Sequence, residues 1–153
     1  MTCSRVFPLD IYQTGYVVND IDQAVERWRK STGLDGFQFL RHIQVDNGLY
    51  RGQPTAIDFS VAVVQTTTLN IEFIAQHDQQ PSCYRDLFPD GGEGLHHVAI
   101  RSNDYDADLA RYLENGFLSA FSGTYQGTRF NYIDTSATLG IMVELVEART
   151  TDG

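Results

Sequence analysis

Short runs of alternating hydrophobic and polar residues follow one another along this chain, and two stretches of it resemble each other. The segment that begins at Gln13 reads QTGYVVNDIDQAVERW, and the segment that begins at His97 reads HVAIRSNDYDADLARY, so that Gln13 aligns with His97. A second pair of segments, residues 70–74 (NIEFI) and 142–146 (MVELV), also matches. Such self-similarity indicates two copies of one supersecondary unit. The second pair is closer together in the chain than the first, so the first copy contains an insertion of about a dozen residues between its two matched segments.

Each copy predicts the same order of elements. A strand rich in β-branched and aromatic residues comes first, at residues 12–18 and 96–100. An amphipathic helix with an aspartate near its start follows it. Three further strands complete each copy. They are predicted at residues 37–45, 56–64 and 69–75 in the first copy and at residues 118–124, 128–134 and 141–146 in the second.

These elements predict an α+β fold built from two tandem βαβββ modules. Eight strands would form one curled mixed sheet, shaped like a cup, with the helices on its outer face. We expect a single domain over residues 1–153, with module one at about 9–76, a linker at about 77–94 and module two at about 95–148. The linker, HDQQPSCYRDLFPDGGEG, is rich in turn-forming residues and contains one expected helical turn at residues 83–88.

Strand alternation predicts a group of polar side chains inside the cup. On the first and fourth strand of each copy, the bulky apolar residues are expected to face the helices. This leaves Gln13, Glu72, His97 and Glu144 on the other face, at two pairs of equivalent positions that the repeat brings together. Unpaired buried carboxylates are costly, and imidazole, amide and carboxylate groups are all competent metal ligands. The pattern therefore predicts a site for one divalent metal ion, while His96 is expected to point away, towards the helices.

A divalent ion with open positions would act as a Lewis acid on a carbonyl substrate. The expected chemistry is removal of the proton next to a carbonyl, with the resulting enolate or enediolate stabilised by the ion. Glu144 is the first candidate for the base, with Glu72 as its partner. The candidate substrate contacts are Arg101, Arg51, Tyr50, Phe130 and Tyr132.

Composition narrows the possible partners. The chain has 153 residues, of which 20 are acidic and 11 basic, so its formal net charge is −9. This acidity argues against nucleic acid or an anionic membrane surface as a partner, because phosphates are bound by clustered Lys and Arg. A hydrophobic content of 42% supports a packed core. With only Cys3 and Cys83 as cysteines and no apolar run of about 20 residues, we expect a cytoplasmic protein with free thiols.

The two βαβββ units, the segment GEGLHHVAIRS and the closing GIMVELVE resemble the vicinal oxygen chelate superfamily. That superfamily includes glyoxalase I, methylmalonyl-CoA epimerase, extradiol dioxygenases and bleomycin-resistance proteins. The resemblance covers residues 11–147, and the linker followed by GEGLHHVA is most similar to the epimerase-like branch. Metal ligands of the family lie on the first and fourth strand of each module, which implies the same four residues here: Gln13, Glu72, His97 and Glu144. The metal, by this resemblance, is Zn, Ni, Co, Mn or Fe.

The ligand types separate the branches of this family. Methylmalonyl-CoA epimerases typically have His, Gln, His and Glu in that order, so Gln13 and Glu72 depart from their pattern. Animal glyoxalase I has Gln, Glu, His and Glu, which matches by type, although the chain has no clear basic motif for glutathione. The resemblance implies a metal-dependent isomerase, epimerase or lyase, a small carbonyl or acyl-thioester substrate and a homodimer. A glyoxalase I-like lactoylglutathione lyase and a non-catalytic protein that binds small molecules stay open as alternatives.

Overall fold

Ten strands form one sheet in the computed structural model, which describes residues 9–149. The strands are β1 (Ile11–Val17), β2 (Gln38–Leu40), β3 (Asp46–Tyr50), β4 (Gln53–Pro54), β5 (Phe59–Gln65), β6 (Asn70–Gln76), β7 (Gly94–Ser102), β8 (Leu118–Tyr125), β9 (Thr128–Asp134) and β10 (Met142–Glu147). The helices are α1 (Ile21–Thr32), α2 (Cys83–Leu87), α3 (Tyr105–Glu114) and α4 (Ser136–Leu139), and a 3-10 turn covers Pro89–Gly91. Within residues 9–149, none of the helices has the length and apolar character needed to cross a membrane.

The two modules meet at the centre of this sheet. Its strands lie in the order β2-β5-β6-β1-β7-β10-β9-β8-β3-β4. β1 and β7 pair in antiparallel orientation, and each also pairs in parallel with the last strand of its own module, β6 or β10. From the centre outwards, both halves then follow the same order of first, fourth, third and second strand. The predicted α+β fold with a curled mixed sheet is confirmed, and the modules are related by an approximate twofold axis between β1 and β7.

The prediction of eight strands was wrong, because the insertion in module one forms two more. β3 and β4 make a hairpin whose two loop residues, Arg51 and Gly52, have φ values of 47° and 85°, as a type I′ turn requires. β3 then pairs with β8, the outer strand of module two. The predicted strand at residues 37–45 was too long, since β2 ends at Leu40 and the chain turns at His42 with a φ of 50°. The insertion therefore joins one module to the other.

Both long helices lie on the outer face of the sheet, as predicted. The Asp20 side chain accepts a hydrogen bond from the Gln23 amide and caps α1, while Gly33 ends the helix in the left-handed conformation with a φ of 75°. The apolar face of α1, which includes Ile21, packs on β5 and β6. α3 packs on β7 and β10 in the same way. Neither of these two helices covers the opposite, concave face of the sheet.

The segment between the modules reaches into the concave side. The helical turn predicted at residues 83–88 is observed as α2, whose N-cap Ser82 accepts a hydrogen bond from the Arg85 amide. Cys83 and Tyr84 of this helix are buried in the core of the concave face. Cys83 is a free thiol, and Cys3 lies outside the described residues. α2 thus forms part of the inner wall of the cup.

We expect Gly123→Ala to disturb the contact between the insertion and β8. An added Cβ would overlap the Val45 side chain and lie 3.1 Å from the Asp46 carbonyl oxygen. Such overpacking costs about 1–3 kcal/mol, so the free energy of unfolding in urea should fall by that amount. Gly92→Ala is the control, because its Cβ would meet contacts of 3.4 and 3.6 Å, and it should change stability by less than about 0.5 kcal/mol. Equal effects of the two changes would contradict close docking of β3 on β8.

Candidate metal centre

Each module carries one extra residue in its first strand, next to a candidate metal ligand. Along β1, the pairing with β7 passes from Ile11 opposite Ile100 to Gln13 opposite Ala99, which leaves Tyr12 as an additional residue. A β-bulge of this kind interrupts the alternation of side chains and re-aims the residues beside it. Tyr12 therefore lies on the concave side, where it lines a cavity together with Gln13.

The second bulge lies on β7. Gly15 is opposite His97 but Tyr16 is opposite Leu95, so His96 is the additional residue. The prediction that His96 points towards the helices was wrong for this reason. Its ring lies on the concave side, between aromatic rings of α2 and β9 at centroid distances of 5.1 and 5.7 Å. Tyr12 and His96 occupy equivalent positions of the repeat, each directly before a predicted ligand, so the bulges are a shared feature of the two modules.

Four predicted ligands converge at the centre of the cup. Gln13 Oε1 lies 3.4 Å from His97 Nε2. Glu72 Oε1 lies 3.6 Å and Glu144 Oε1 3.8 Å from the same nitrogen. The amide of Gln13 is held in this orientation because its Nε2 donates a hydrogen bond of 2.9 Å to Asn70 Oδ1. Three side-chain oxygens, drawn from both modules, thus lie within 3.8 Å of the same imidazole nitrogen.

Hydrogen bonds fix which nitrogen of His97 is free. His96 Nε2 lies 2.8 Å from the backbone carbonyl oxygen of Cys83, and because a carbonyl can only accept, this nitrogen carries a proton and donates. Burial lowers the pKa of His96 to about 4, so its ring is neutral at pH 7 and its Nδ1 is an acceptor. His97 Nδ1 lies 3.0 Å from that atom and must donate to it. The lone pair of His97 Nε2 is therefore directed at the three oxygens.

The absence of a side chain at Gly15 makes room for the His97 ring. A Cβ built on Gly15 would overlap three atoms of that imidazole. On its other side the ring meets Tyr132 edge to face, with a centroid distance of 5.0 Å. His97 is fully buried as a result, and its position is defined by packing as well as by hydrogen bonds.

The charges at the centre are not balanced by the protein itself. Burial raises the pKa of Glu144 to about 7, although a hydrogen bond from the Tyr132 hydroxyl acts in the opposite direction. Burial, together with the charge of Glu144, raises the pKa of Glu72 well above its usual value. The pKa of His97 is held well below its usual value by burial and by the neighbouring His96. Two carboxyl groups whose ionised forms are disfavoured therefore share a buried site with an uncharged imidazole.

The donor set fits a divalent transition-metal ion. Neighbouring ligands with bonds of about 2.1 Å lie roughly 3.0–3.4 Å apart, close to the 3.4–3.8 Å that separate His97 Nε2 from each of the three oxygens. A divalent cation would neutralise the two carboxylates, whose burial as unpaired ions costs several kcal/mol. Three oxygens and one imidazole suit a six-coordinate ion, which leaves positions for oxygen atoms of a substrate.

Two adjoining cavities lead to these ligands. One has a volume of about 110 Å³ and a largely apolar and aromatic wall, and the other has a volume of about 160 Å³ and lies on the side of Tyr12. They share Glu72, Glu144, Tyr125 and Phe130. No Lys or Arg is among the described residues that line either cavity. Apolar contact and shape, rather than positive charge, therefore characterise the interior of the cup.

Three of the predicted substrate contacts lie at this site. Phe130 and Tyr132 form part of the wall of the 110 Å³ cavity. Arg101 lies at the rim, where its guanidinium carbon is 4.2 Å from the centre of the Tyr12 ring and its Nη1 is 3.5 Å from Asp10 Oδ2. Half of the Arg101 side chain is exposed, so it is accessible to a ligand at the entrance.

The other two predicted substrate contacts, Arg51 and Tyr50, do not lie with the rest at the centre of the cup. Arg51 Nη2 lies 2.9 Å from Asp86 Oδ2 and 2.7 Å from Asp134 Oδ2, and the Tyr50 hydroxyl donates a 2.7 Å hydrogen bond to Asp86. Neither residue lines the two cavities of the cup. This network ties the inserted hairpin to α2 and to the end of β9.

Sequence patterns did not point to three other residues of the site. Tyr12 is placed there by the bulge, and Asn70 orients the amide of Gln13 from the neighbouring strand β6. The Tyr84 hydroxyl donates a 3.1 Å hydrogen bond to the Tyr132 hydroxyl. The repeat could have pointed to Tyr12, because Tyr12 precedes Gln13 just as His96 precedes His97 in module two.

Comparison with known proteins gives one family. A family model described as the glyoxalase/bleomycin resistance protein/dioxygenase superfamily matches residues 12–133. The matched segment contains Gln13, Glu72 and His97, whereas Glu144 lies beyond its end. A search of the curated proteins found no match.

Solved structures with similar folds cover almost the whole chain. Methylmalonyl-CoA epimerase from Mycobacterium tuberculosis superposes with a TM-score of 0.62 at 24% identity, covering 97% of this chain and 93% of that one. A Streptomyces coelicolor methylmalonyl-CoA epimerase variant in complex with 2-nitronate-propionyl-CoA gives 0.62 at 20% identity, with 95% and 99% covered. A hypothetical protein from Bacillus halodurans C-125 gives 0.67 at 15% identity, with 95% and 98% covered. At these identities the similarity establishes the fold.

We expect His96→Phe to weaken metal binding at the centre by about 10–100-fold, the usual effect of losing the hydrogen-bond partner of a ligating histidine. Phenylalanine offers no acceptor for the His97 Nδ1 proton. His96→Asn is the matched variant, because its Oδ1 can still accept that proton, and its loss should be smaller. Competition with a coloured chelator measures both affinities, and circular dichroism checks that both variants fold. We call the chain of hydrogen bonds from His97 through His96 to the Cys83 carbonyl oxygen the His96 relay. Equal losses of metal affinity in the two variants, or no loss in either, would contradict it.

The raised pKa of Glu144 predicts that the free energy of unfolding of the metal-free protein falls as the pH rises. A carboxyl whose pKa is higher in the folded state than in the unfolded state stabilises the fold below its unfolded value, and this stability is lost as pH rises through about 7. Glu144→Gln, which cannot ionise, should therefore be more stable than wild type by up to about 3 kcal/mol at pH 8, but by less than about 1 kcal/mol at pH 5.

Urea unfolding in the presence of a chelator measures this difference. The exposed Glu114→Gln is the control for loss of one negative charge and should show no such gain. A gain for Glu144→Gln that is the same at pH 5 and pH 8 would mean that the carboxyl does not titrate as described.

Proposed function

The chain belongs to the glyoxalase/bleomycin resistance protein/dioxygenase superfamily, and on that premise we propose that it is a metal-dependent isomerase, epimerase or lyase. Its reaction would begin with removal of a proton from the carbon next to a carbonyl group. The observation that carries the proposal is the convergence of three side-chain oxygens on the unprotonated nitrogen of His97, at 3.4, 3.6 and 3.8 Å.

Gln13, Glu72, His97 and Glu144 are the residues that would hold the cation. When bound, a divalent metal ion supplies Lewis-acid polarisation of the substrate carbonyl, which makes the adjacent C–H bond more acidic. The protein contributes the orientation of these ligands through Asn70 and the His96 relay. It also excludes water, because the cup is walled by apolar and aromatic side chains.

Glu144 is our first candidate for the base. Burial raises its pKa to about 7 in the metal-free protein, and as a metal ligand its carboxylate would have to leave the ion to accept and return a proton. The Tyr132 hydroxyl, which itself accepts a hydrogen bond from Tyr84, orients the carboxylate. Glu72 lines the same two cavities and can act from the other module. Removal by one carboxylate and return by the other, on the opposite face of the carbon, would invert its configuration and give an epimerase.

The cup favours a substrate with an apolar group next to its carbonyl. Its volume of about 110 Å³ on the aromatic side accommodates a small acyl group. Arg101, which stacks on the Tyr12 ring, is the predicted cationic contact that would meet an anionic part of the substrate outside the cup. A small carbonyl compound or an acyl-thioester meets these requirements, and the latter is in keeping with the acyl-CoA ligand of one structural neighbour.

A lactoylglutathione lyase like glyoxalase I is the second candidate. The specific observation in its favour is the type and order of the ligands, Gln13, Glu72, His97 and Glu144, which resemble those of animal glyoxalase I. The cavity lining lacks the Lys and Arg that would pair with the carboxylates of glutathione, among the residues described. Because of this charge distribution, we rank the lyase below the isomerase and the epimerase.

Metal analysis combined with solvent deuterium exchange tests the proposal. Wild-type protein should bind about one divalent ion at the centre and catalyse incorporation of deuterium next to the carbonyl of small acyl-thioesters or ketones. Glu144→Gln should lower the exchange rate by at least about 100-fold, the effect expected for a general base. Glu72→Gln should lower it as well, and Glu114→Gln on the surface of α3 should not.

The same experiment separates the alternatives. Exchange only with thiol adducts of 2-oxoaldehydes would favour the lyase. Bound small molecules without exchange, in protein reconstituted with several divalent ions, would favour a binding protein and overturn the enzymatic proposal.

A further inference from the structure

A second group of metal-ligand side chains lies outside the cup. His42, Asp58 and His77 each offer one ligand atom, and these three atoms lie within 4.8 Å of one another. His42 Nδ1 is 2.6 Å from Asp58 Oδ1, and the centroids of the two imidazole rings are 4.7 Å apart. The chain has four histidines, and the two that are not at the centre of the cup come together here from separate parts of module one.

The sheet places two of these residues side by side. Phe59 at the start of β5 pairs with Gln76 at the end of β6, so the next residues outwards, Asp58 and His77, are adjacent. The His77 amide donates a 2.7 Å hydrogen bond to the Asp58 carbonyl oxygen. Two of the three side chains are therefore held by the end of a regular hairpin.

His42 reaches this pair through an uncommon backbone conformation. Its φ is 50°, which a residue with a side chain adopts at a cost unless its surroundings hold it there. The His42 amide donates to Ser60 Oγ at 2.9 Å, and the same hydroxyl lies 2.7 Å from His77 Nε2. One serine thus links both histidines. When His77 Nε2 carries the proton and donates to Ser60, its Nδ1 has a free lone pair, as in most metal-ligating histidines.

We propose that His42, Asp58 and His77 form a second metal site, which binds one divalent transition-metal ion such as Zn²⁺. Two imidazoles and one carboxylate are a ligand set that Zn²⁺ favours, with solvent as the fourth ligand. The His42 side chain is 64% and that of Asp58 46% exposed, so an ion from solution has direct access. The net charge of −9 favours the approach of a cation.

An ion at this site would fix the root of the inserted hairpin. His42 lies between β2 and β3, and the next residue, Ile43, donates its amide to the Phe59 carbonyl oxygen at 2.8 Å. Ile43 and Phe59 both line the 110 Å³ cavity of the cup. The site therefore joins the segment that forms one wall of the cup to the β5–β6 hairpin, although it does not share a ligand with the central site.

Zinc titration of the metal-free protein, followed by NMR of the ¹⁵N-labelled histidine rings, tests the proposal. The His42 and His77 ring signals should shift within two equivalents of Zn²⁺, since the central site is expected to take up one of them. The signals of His96 and His97 report separately on the central site, so failure of either site is seen independently of the other. The same titration of Glu144→Gln should leave the response of His42 and His77 unchanged.

His42→Asn is the decisive variant. Asparagine tolerates a positive φ, so the metal-free variant should fold with the same melting temperature as wild type. It lacks the imidazole ligand, however, and should bind Zn²⁺ at this site at least about 100-fold more weakly, since loss of outer partners alone costs about 10–100-fold. Gln44→Ala, in the same loop, is the matched control and should keep the affinity. Equal affinities of wild type and His42→Asn, or no shift of the His42 and His77 signals at millimolar Zn²⁺, would show a simple ion pair and overturn the proposal.

Discussion

The backbone carbonyl of Cys83 is the constraint on which the centre of this protein depends. Because a carbonyl accepts hydrogen bonds and never donates, it sets the tautomer of His96, and His96 in turn sets that of His97. The outcome is a lone pair that points at three oxygens. The arrangement needs α2 inside the cup to bring the carbonyl, a bulge on β7 to put both imidazoles on one face, and Gly15 opposite to leave space for the second ring.

The two modules offer equivalent positions with different chemistry. Gln13 and His97 are equivalent, yet one is an amide held by Asn70 and the other an imidazole held by a relay. The bulges likewise present Tyr12 on one side and His96 on the other. The two carboxylates also differ, since Glu144 receives a hydrogen bond from a tyrosine pair that reaches it from α2 and β9. A substrate in the cup would therefore meet two unlike flanks, which is what a reaction with defined stereochemistry requires.

Local sequence rules predicted some features of this structure, and features set by contacts between the modules were missed. The repeat and strand alternation are local rules, and they were sufficient to select four residues that the fold brings together at the centre. The same alternation misplaced His96, because a bulge adds one residue and is set by pairing between strands of different modules. The inserted hairpin was not predicted for a similar reason, since β3 pairs with β8 far along the chain, in the other module. Contacts between modules decide both features, and no local pattern contains them.

The pairing of β1 with β7 also brings the candidate ligands of both modules together within one chain. Gln13 and Glu72 come from module one, and His97 and Glu144 from module two of the same chain. All four donors are brought together by strands that neighbour each other in one sheet, β6-β1-β7-β10. The inserted hairpin adds a further link within the chain, because it starts in module one and pairs with the outer strand of module two. In the homodimer that the family resemblance implies, each chain would therefore carry all four candidate ligands by itself.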